Sequence, residues 1–398
     1  MKWKGKTLGE ICAFRSGVGF KLEYQGDKTG DYPFIKVSDM NLSENQIRIN
    51  TANHWISGTV RERIRAEPFQ AGTTVFAKIG EALKQNRVRL LIRDTIIDNN
   101  MMGAIPKREV VEPEFLYHRL SMFDFAATSS GAALPFLTVK VLAESRVSIP
   151  PLPAQREIAE TLSAYDDLME NNRRRMALME ESARMLYREW FVRLRFPGHE
   201  HARITNGVPE GWEPKALGDI CTDLRETVSP DALEPDTPYI GLEHIPRRSI
   251  SLTEWGAAEV VTSTKLRYKT GDILFGKIRP YFHKVGIAFT DGVASSDAIV
   301  IRPNTDGLRS LVLMVVSSDE FVAEASQTMR EGSKMPRADW KHMIKYPVIL
   351  PPPGLLADFT ETVTAITDQL RNLCFQNQKL RAARDLLLPK LMSGELAV

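Results

Sequence analysis

Residues 148–161 read SIPPLPAQREIAET, and residues 348–362 read VILPPPGLLADFTET. Each stretch closes a region of mixed composition with an apolar residue and a proline run, then opens a long segment with helical spacing. Proline fixes φ and withholds an N–H, so it separates one element from the next and is tolerated in a first helical turn. Twice in one chain, then, a region of variable character is joined to a helix by the same kind of junction.

Other echoes follow in the same order. KTLGEIC at 6–12 returns as KALGDIC at 215–221, and FQAGTTVFAKI at 69–79 returns as YKTGDILFGKI at 268–278. SSGAALP at 129–135 is answered by EGSKMP at 331–336. The spacing stays near two hundred residues, too long for a solenoid repeat, so the 398 residues are read as two copies of one large unit.

The first part of each copy has mixed α/β character. YPFIKV, TTVFAKI, PYIGL, DILFGKI and DAIVIRP are short β-branched or aromatic runs bounded by turn formers, which predicts strands. EPEFLYHRLSMFDFAAT at 112–128 and LRSLVLMVVSSDEFVAEAS at 308–326 are each predicted as a helix. The fold class is α+β.

The second part of each copy carries a coiled-coil rhythm. Ile158, Leu162, Tyr165, Met169, Asn172, Met176, Met179, Ala183, Leu186 and Trp190 alternate steps of four and three. Phe359, Val363, Ile366, Leu370, Leu373, Asn377, Leu380 and Leu387 repeat the pattern, with Arg384 as its exception. Such a seam faces a partner helix, and over several heptads it favours pairing of the two segments over burial of each in its own domain. Asn172 and Asn377 would be the polar seam positions that fix register, or would reach solvent at its edge. Antiparallel pairing about these asparagines puts Ile158 near Leu391 and Trp190 near Phe359.

Composition narrows the function. Hydrophobic residues make up 43% and charged residues 26%, which suits a globular chain with a sizeable core. No stretch reaches the ~20 apolar residues of a membrane span, and MKWKGKTLGE lacks the core of a signal peptide, so a cytoplasmic protein is expected. Three scattered cysteines, Cys12, Cys221 and Cys374, argue against a disulfide framework or zinc site. The net charge of +2 does not mark a nucleic-acid binder, so any such role must rest on local patches. No catalytic residue and no metal site are assigned. GKT at 5–7 lacks the upstream glycine of a phosphate loop, GVGF at 17–20 is too short for a cofactor motif, and HEH at 199–201 sits in a Pro/Gly-rich link without further ligands.

With the repeat, the segment IPPLPAQREIAETLSAYDDLMENNRRR, the stretch LYREWFVRLRFPGHE and the closing LLLPKLMSGEL, the chain resembles the specificity subunits of type I restriction-modification systems. The second copy departs from the pattern, with Leu356 and Ala357 where a Gln-Arg pair is expected. The resemblance implies two target recognition domains, each reading half of a bipartite double-stranded DNA sequence, joined by two long conserved helices paired as an antiparallel coiled coil. On it the chain divides into recognition domain 1 (1–147), spacer helix 1 (148–195), a linker (196–211), recognition domain 2 (212–347) and spacer helix 2 (348–398). It also implies two modification subunits and two restriction subunits as partners. S-adenosylmethionine, ATP and magnesium would be held by those partners and none by this chain. A coiled-coil adaptor that does not bind DNA, and a self-sufficient nuclease or methyltransferase, are the other readings.

KIGEALKQNRVR at 78–89 and GKIRPYFHKVG at 276–286 occupy equivalent places and are the leading candidates for DNA contact. Lys78, Lys84, Arg87, Arg89, Lys277, Arg279 and Lys284 are expected to meet phosphates, Gln85, Asn86 and His283 to read base edges, and Tyr281 to stack or pack. Ser130, Ser333 and Lys334, just ahead of the junctions, are second candidates.

Overall fold

The structure is a computed structural model describing residues 3–131, 135–327 and 336–397. Among them, five helices reach eight residues: α1 (Pro113–Ser121), α2 (Leu152–Tyr187), α3 (Arg309–Val316), α4 (Asp319–Gln327) and α5 (Pro353–Ser393). Packing divides the chain into two units, Met1–Arg174 with Asn377–Val398, and Arg175–Gln376. These units follow packing, whereas the boundaries at 147, 195, 211 and 347 follow sequence character. Each unit therefore holds one mixed region and a portion of both long helices.

In the first unit the main sheet runs Cys12–Ser16, Met101–Pro106, Thr74–Ala77, Val88–Leu91 and Arg48–Ile49 in hydrogen-bonded order. The first four are antiparallel to their neighbours and the last is parallel. In the second unit Cys221–Leu224, Ala298–Pro303, Ile273–Gly276, Val285–Ala288 and Ser251–Leu252 repeat that order and those directions. A second sheet shares a core in both units. Tyr32–Ile35 lies parallel to Ile96–Ile97 and antiparallel to His54–Ile56, as Pro238–Ile240 does with Gly292–Ala294 and Gly256–Ala257. The duplication read from short sequence echoes is thus a duplication of topology. All five predicted strand runs are strands. Each of the two predicted single helices is instead broken, α1 giving way to a short helix at Phe125–Thr128 and α3 to α4.

The breaks have local causes. Asp124 caps the short helix by accepting from Ala127 N at 2.9 Å. Ser317 and Ser318 turn their hydroxyls back onto Leu313 and Val315 carbonyls, closing α3 before Asp319 starts α4.

The long helices are buried along the predicted seam. Ile158, Leu162, Met169, Asn172, Met176 and Ala183 of α2 are buried, as are Phe359, Val363, Leu370 and Leu373 of α5. Tyr165, Ile366 and Asn377 are half-buried. In the first unit Asn172 Nδ2 donates to Asn377 Oδ1 at 2.9 Å, and Ile158 and Leu391 share one core. In the second, the rings of Trp190 and Phe359 lie 5.8 Å apart. Residue numbers rise along one helix as they fall along the other, so the pairing is antiparallel. The seam exception, Arg384, donates to Asp166 Oδ1 at 2.6 Å, and Asp166 is buried beside the half-buried Tyr165. Seven residues do not close two turns of a straight α-helix, so the buried stripe drifts from one residue to its neighbour. The α-helical part of α2 ends at Tyr187, and a π-turn carries Arg188–Val192.

Gln155, within the motif at the first junction, is buried and fully used. Its amide donates to Pro150 O at 2.8 Å and Val110 O at 3.1 Å, and its oxygen accepts from Glu112 N at 3.0 Å. It thereby ties the proline run to the start of α1. Each mixed region is also fixed to α2 through its edge strand. Arg48 meets Glu170 of α2 at 3.3 Å, and Glu114 of α1 at 3.1 Å, while Ser251 donates to Glu180 of α2 at 2.6 Å, joined by Ser249 just ahead of the strand at 2.7 Å.

Candidate nucleic-acid interface

The two segments singled out from sequence connect the central strands of the main sheets, Thr74–Ala77 to Val88–Leu91 and Ile273–Gly276 to Val285–Ala288. Each connection is held by the same hydrogen bonds. Lys78 N donates to Asn100 O (2.9 Å) and Gly80 N to Pro135 O (2.9 Å), while Leu137 N donates to Lys78 O (2.9 Å). In the second unit Lys277 N donates to Asp297 O (3.0 Å), Arg279 N to Pro336 O (2.9 Å), and Ala338 N to Lys277 O (2.8 Å). The proline ends of SSGAALP and EGSKMP therefore meet these connections, one in each unit.

The positive sign of φ repeats as well. Gly80 and Arg279 have φ of 74° and 48°, and Asn86 and His283 have φ of 50° and 53°. Glycine adopts this region freely and asparagine readily, but for arginine and histidine it costs on the order of 1–2 kcal/mol each. The second of these residues is latched in both units. Asn86 Nδ2 donates to Ser121 O, the last residue of α1, at 3.3 Å, and its Oδ1 accepts from Phe125 N at 3.3 Å. His283 Nε2–H donates to Ser317 O, the C-cap of α3, at 2.8 Å.

Between these fixed points the two units differ. The first holds the short helix Glu81–Lys84 followed by Gln85, with Lys84 and Gln85 exposed and Lys84 paired to Glu81 at 3.0 Å. The second holds a single turn, Pro280–Phe282, from which Tyr281 stands 52% exposed. The guanidinium of Arg247 lies 4.1 Å from the Phe282 ring centre and that of Arg279 lies 5.9 Å from it. Neither arginine makes an ion pair among the described residues, and both are exposed. Arg247 escaped the sequence reading because it lies some thirty residues upstream; the local signal was the Arg-Arg pair in IPRRS at 245–249.

Several expected contacts are corrected by burial. Arg89 is 7% exposed and is used up inside the fold, donating to the carbonyls of Val88 and Met40 (2.8 Å each) and Asn45. Burial pushes its guanidinium down to about 10. Such a side chain supports the sheet and cannot reach a phosphate. His283, 6% exposed, is a latch and presents no edge to a base; burial also holds its pKa below the ordinary histidine value. Asn86 is occupied in the same way. Lys284 donates to Leu242 O, and burial lowers its pKa. Lys277 is drawn to Ser296 O and Lys78 to Ser16 Oγ at 3.1 Å. Arg87 is half-buried, and Ser130 is exposed and bridges to Phe136. Ser333 and Lys334 lie outside the described residues.

Among the described residues no group of three or more His, Cys, Asp or Glu could hold a metal ion, and no helix is long and apolar enough to cross a membrane. Cys12 and Cys221 occupy equivalent buried places, each thiol donating to the carbonyl four residues earlier, and burial pushes both up to about 12. They are inert core side chains.

Comparison with known proteins places these observations. The family model described as type I restriction modification DNA specificity domain matches residues 1–180. The chain is 25% identical to the MjaIX specificity subunit of Methanocaldococcus jannaschii, across 99% of this chain and 93% of the relative. It is 23% identical to the EcoDI specificity subunit of Escherichia coli, across 88% of this chain and 78% of the relative. The crystal structure of a type I restriction-modification S subunit from M. genitalium covers 98% of this chain and 96% of its own, with a TM-score of 0.58 and 14% identity. That likeness confirms the α+β fold with its two mixed regions and long helices.

Proposed function

We propose, on the premise that residues 1–180 match the type I restriction modification DNA specificity domain and that the whole chain resembles specificity subunits, that this protein is the DNA sequence-specificity subunit of a type I restriction-modification complex. Each unit reads one half of a bipartite target. The observation that carries this reading is the repeated frame in the two sheets, which presents chemically different loops at one topological position. A duplicated mount with unlike tips suits two unlike half-sites, since base edges are distinguished by side-chain type and position. The family match favours this over an adaptor that never touches DNA.

The chain itself performs no reaction. Modification subunits supply S-adenosylmethionine and adenine methylation, and restriction subunits supply ATP- and magnesium-dependent cleavage, while this chain chooses where they act. The test has two arms. The purified chain is incubated with labelled S-adenosylmethionine, and separately with plasmid, ATP and magnesium; neither methyl transfer nor cleavage is expected. Produced in cells with its modification subunits, it should then direct adenine methylation to sites with two constant elements flanking an unread gap. Turnover by the clean chain, or methylation without a bipartite site, contradicts the proposal.

A further inference from the structure

Resting on that reading, we infer that the specificity-determining residues lie in the inserts between the paired positive-φ positions, residues 81–85 in the first unit and Pro280–Phe282 in the second. On the same inference Asn86 and His283 are positioning residues that latch those inserts to a helix end.

The argument rests on what is constant and what is not. Three backbone hydrogen bonds, two positive φ angles and one side-chain latch recur at equivalent places in both units. A hairpin needs none of this to close, because a two-residue turn joins antiparallel strands with less chain. Retaining left-handed Arg279 and His283, neither of them a glycine, means that the surrounding contacts over-determine the loop. The held segment, by contrast, shares neither length, secondary structure nor residue type between the units. It is five residues carrying Lys84 and Gln85 in one, and three carrying Tyr281 and Phe282 in the other.

The exposed chemistry of the second insert suits base recognition. Phe282 carries two exposed guanidiniums, from Arg247 and Arg279, and a guanidinium supported on a ring loses less freedom when it forms paired hydrogen bonds. Arginine matches guanine O6 and N7, and Tyr281 offers an aromatic face. In the first insert Gln85 has the amide that matches adenine N6 and N7. His283 cannot do this work while its Nε2–H is committed to Ser317 O and its ring is enclosed. Its counterpart Asn86 makes the equivalent bond, so asparagine is the substitution that should preserve the latch.

The experiment selects bound duplexes from a randomised pool, using the full chain assembled with its modification subunits. Arg279→Gly accommodates the positive φ of 48° without strain and removes the side chain with its guanidinium. With Tyr281→Ala, it should change base preference at individual positions of one half-site, by about tenfold per position, and leave the other half-site as in the wild type. His283→Ala should weaken every position of that same half-site together, and His283→Asn should restore it. Wild-type selection without any bipartite preference sinks the proposed function itself. Wild-type selection with bipartite preference, but identical selection by Arg279→Gly and Tyr281→Ala, overturns this inference alone. A change of single-base preference by His283→Asn overturns the latch. Arg279 and Tyr281 are exposed, so their variants decide the matter even if His283→Ala fails to fold.

Discussion

Asn172 and Asn377 join their side-chain amides across the helix seam at 2.9 Å, and Asn377 Nδ2 also reaches Met169 O at 3.4 Å. Each amide satisfies the other where leucine would otherwise pack. Replacing one by leucine removes the amide–amide bond from its partner inside the seam, which should cost about 1–3 kcal/mol. The double leucine variant should recover that stability, giving a coupling energy in a double-mutant cycle followed by thermal melting. Additive single losses would mean the pair does no joint work.

This pair shows how far the sequence could be read. Period and spacing disclosed the seam and the repeat, because apolar stripes are written directly in residue order, while the antiparallel direction came only from the family resemblance. Asp166 and Arg384 were hidden, since a buried ion pair between distant segments looks locally like two surface charges. The candidate loops were legible as equivalent places. The side chains within them were not, because Arg89 and His283 have the composition of DNA-contacting residues and only tertiary packing turns them inward.

Arg384→Met should strand the Asp166 carboxylate, which burial already pushes above its ordinary range while Arg384 opposes that rise. The expected loss is about 3 kcal/mol at neutral pH. A raised folded pKa favours the protonated form, so the penalty should shrink as pH falls towards the ordinary aspartate value. Denaturant melts of the variant and the wild type at neutral and acidic pH check both size and sign.

Gln155→Leu places at the first junction the residue type that Leu356 supplies at the second. Three hydrogen bonds disappear, two of them to carbonyls of Val110 and Pro150. We expect a loss of about 2 kcal/mol in chemical denaturation. An unchanged midpoint would show that the junction is held by its prolines alone.

His118 is buried, and its Nε2 has no hydrogen-bond partner among the described residues. Burial, assisted by Arg384 and Arg48, pushes its pKa down to about 3. The unfolded chain therefore takes up the proton first. The stability this group contributes is complete above pH 6.5 and declines by about 1.4 kcal/mol per pH unit as pH falls below it. His118→Leu should flatten the wild-type fall in stability between pH 6.5 and 5, as measured by melting temperature. Parallel curves for the two proteins would remove His118 from the account.

The central claim is that each recognition region reads its own half of the target. It is tested most directly by a hybrid in which residues 212–347 are replaced by the corresponding segment of a related specificity subunit with a different, known target. Methylated adenines are then mapped in cells carrying the modification subunits. The account predicts that one half-site changes to that of the donor while the other half-site and the gap stay as in the wild type. A fully folded hybrid that methylates the unaltered wild-type site, or one whose two half-sites both change, would contradict it.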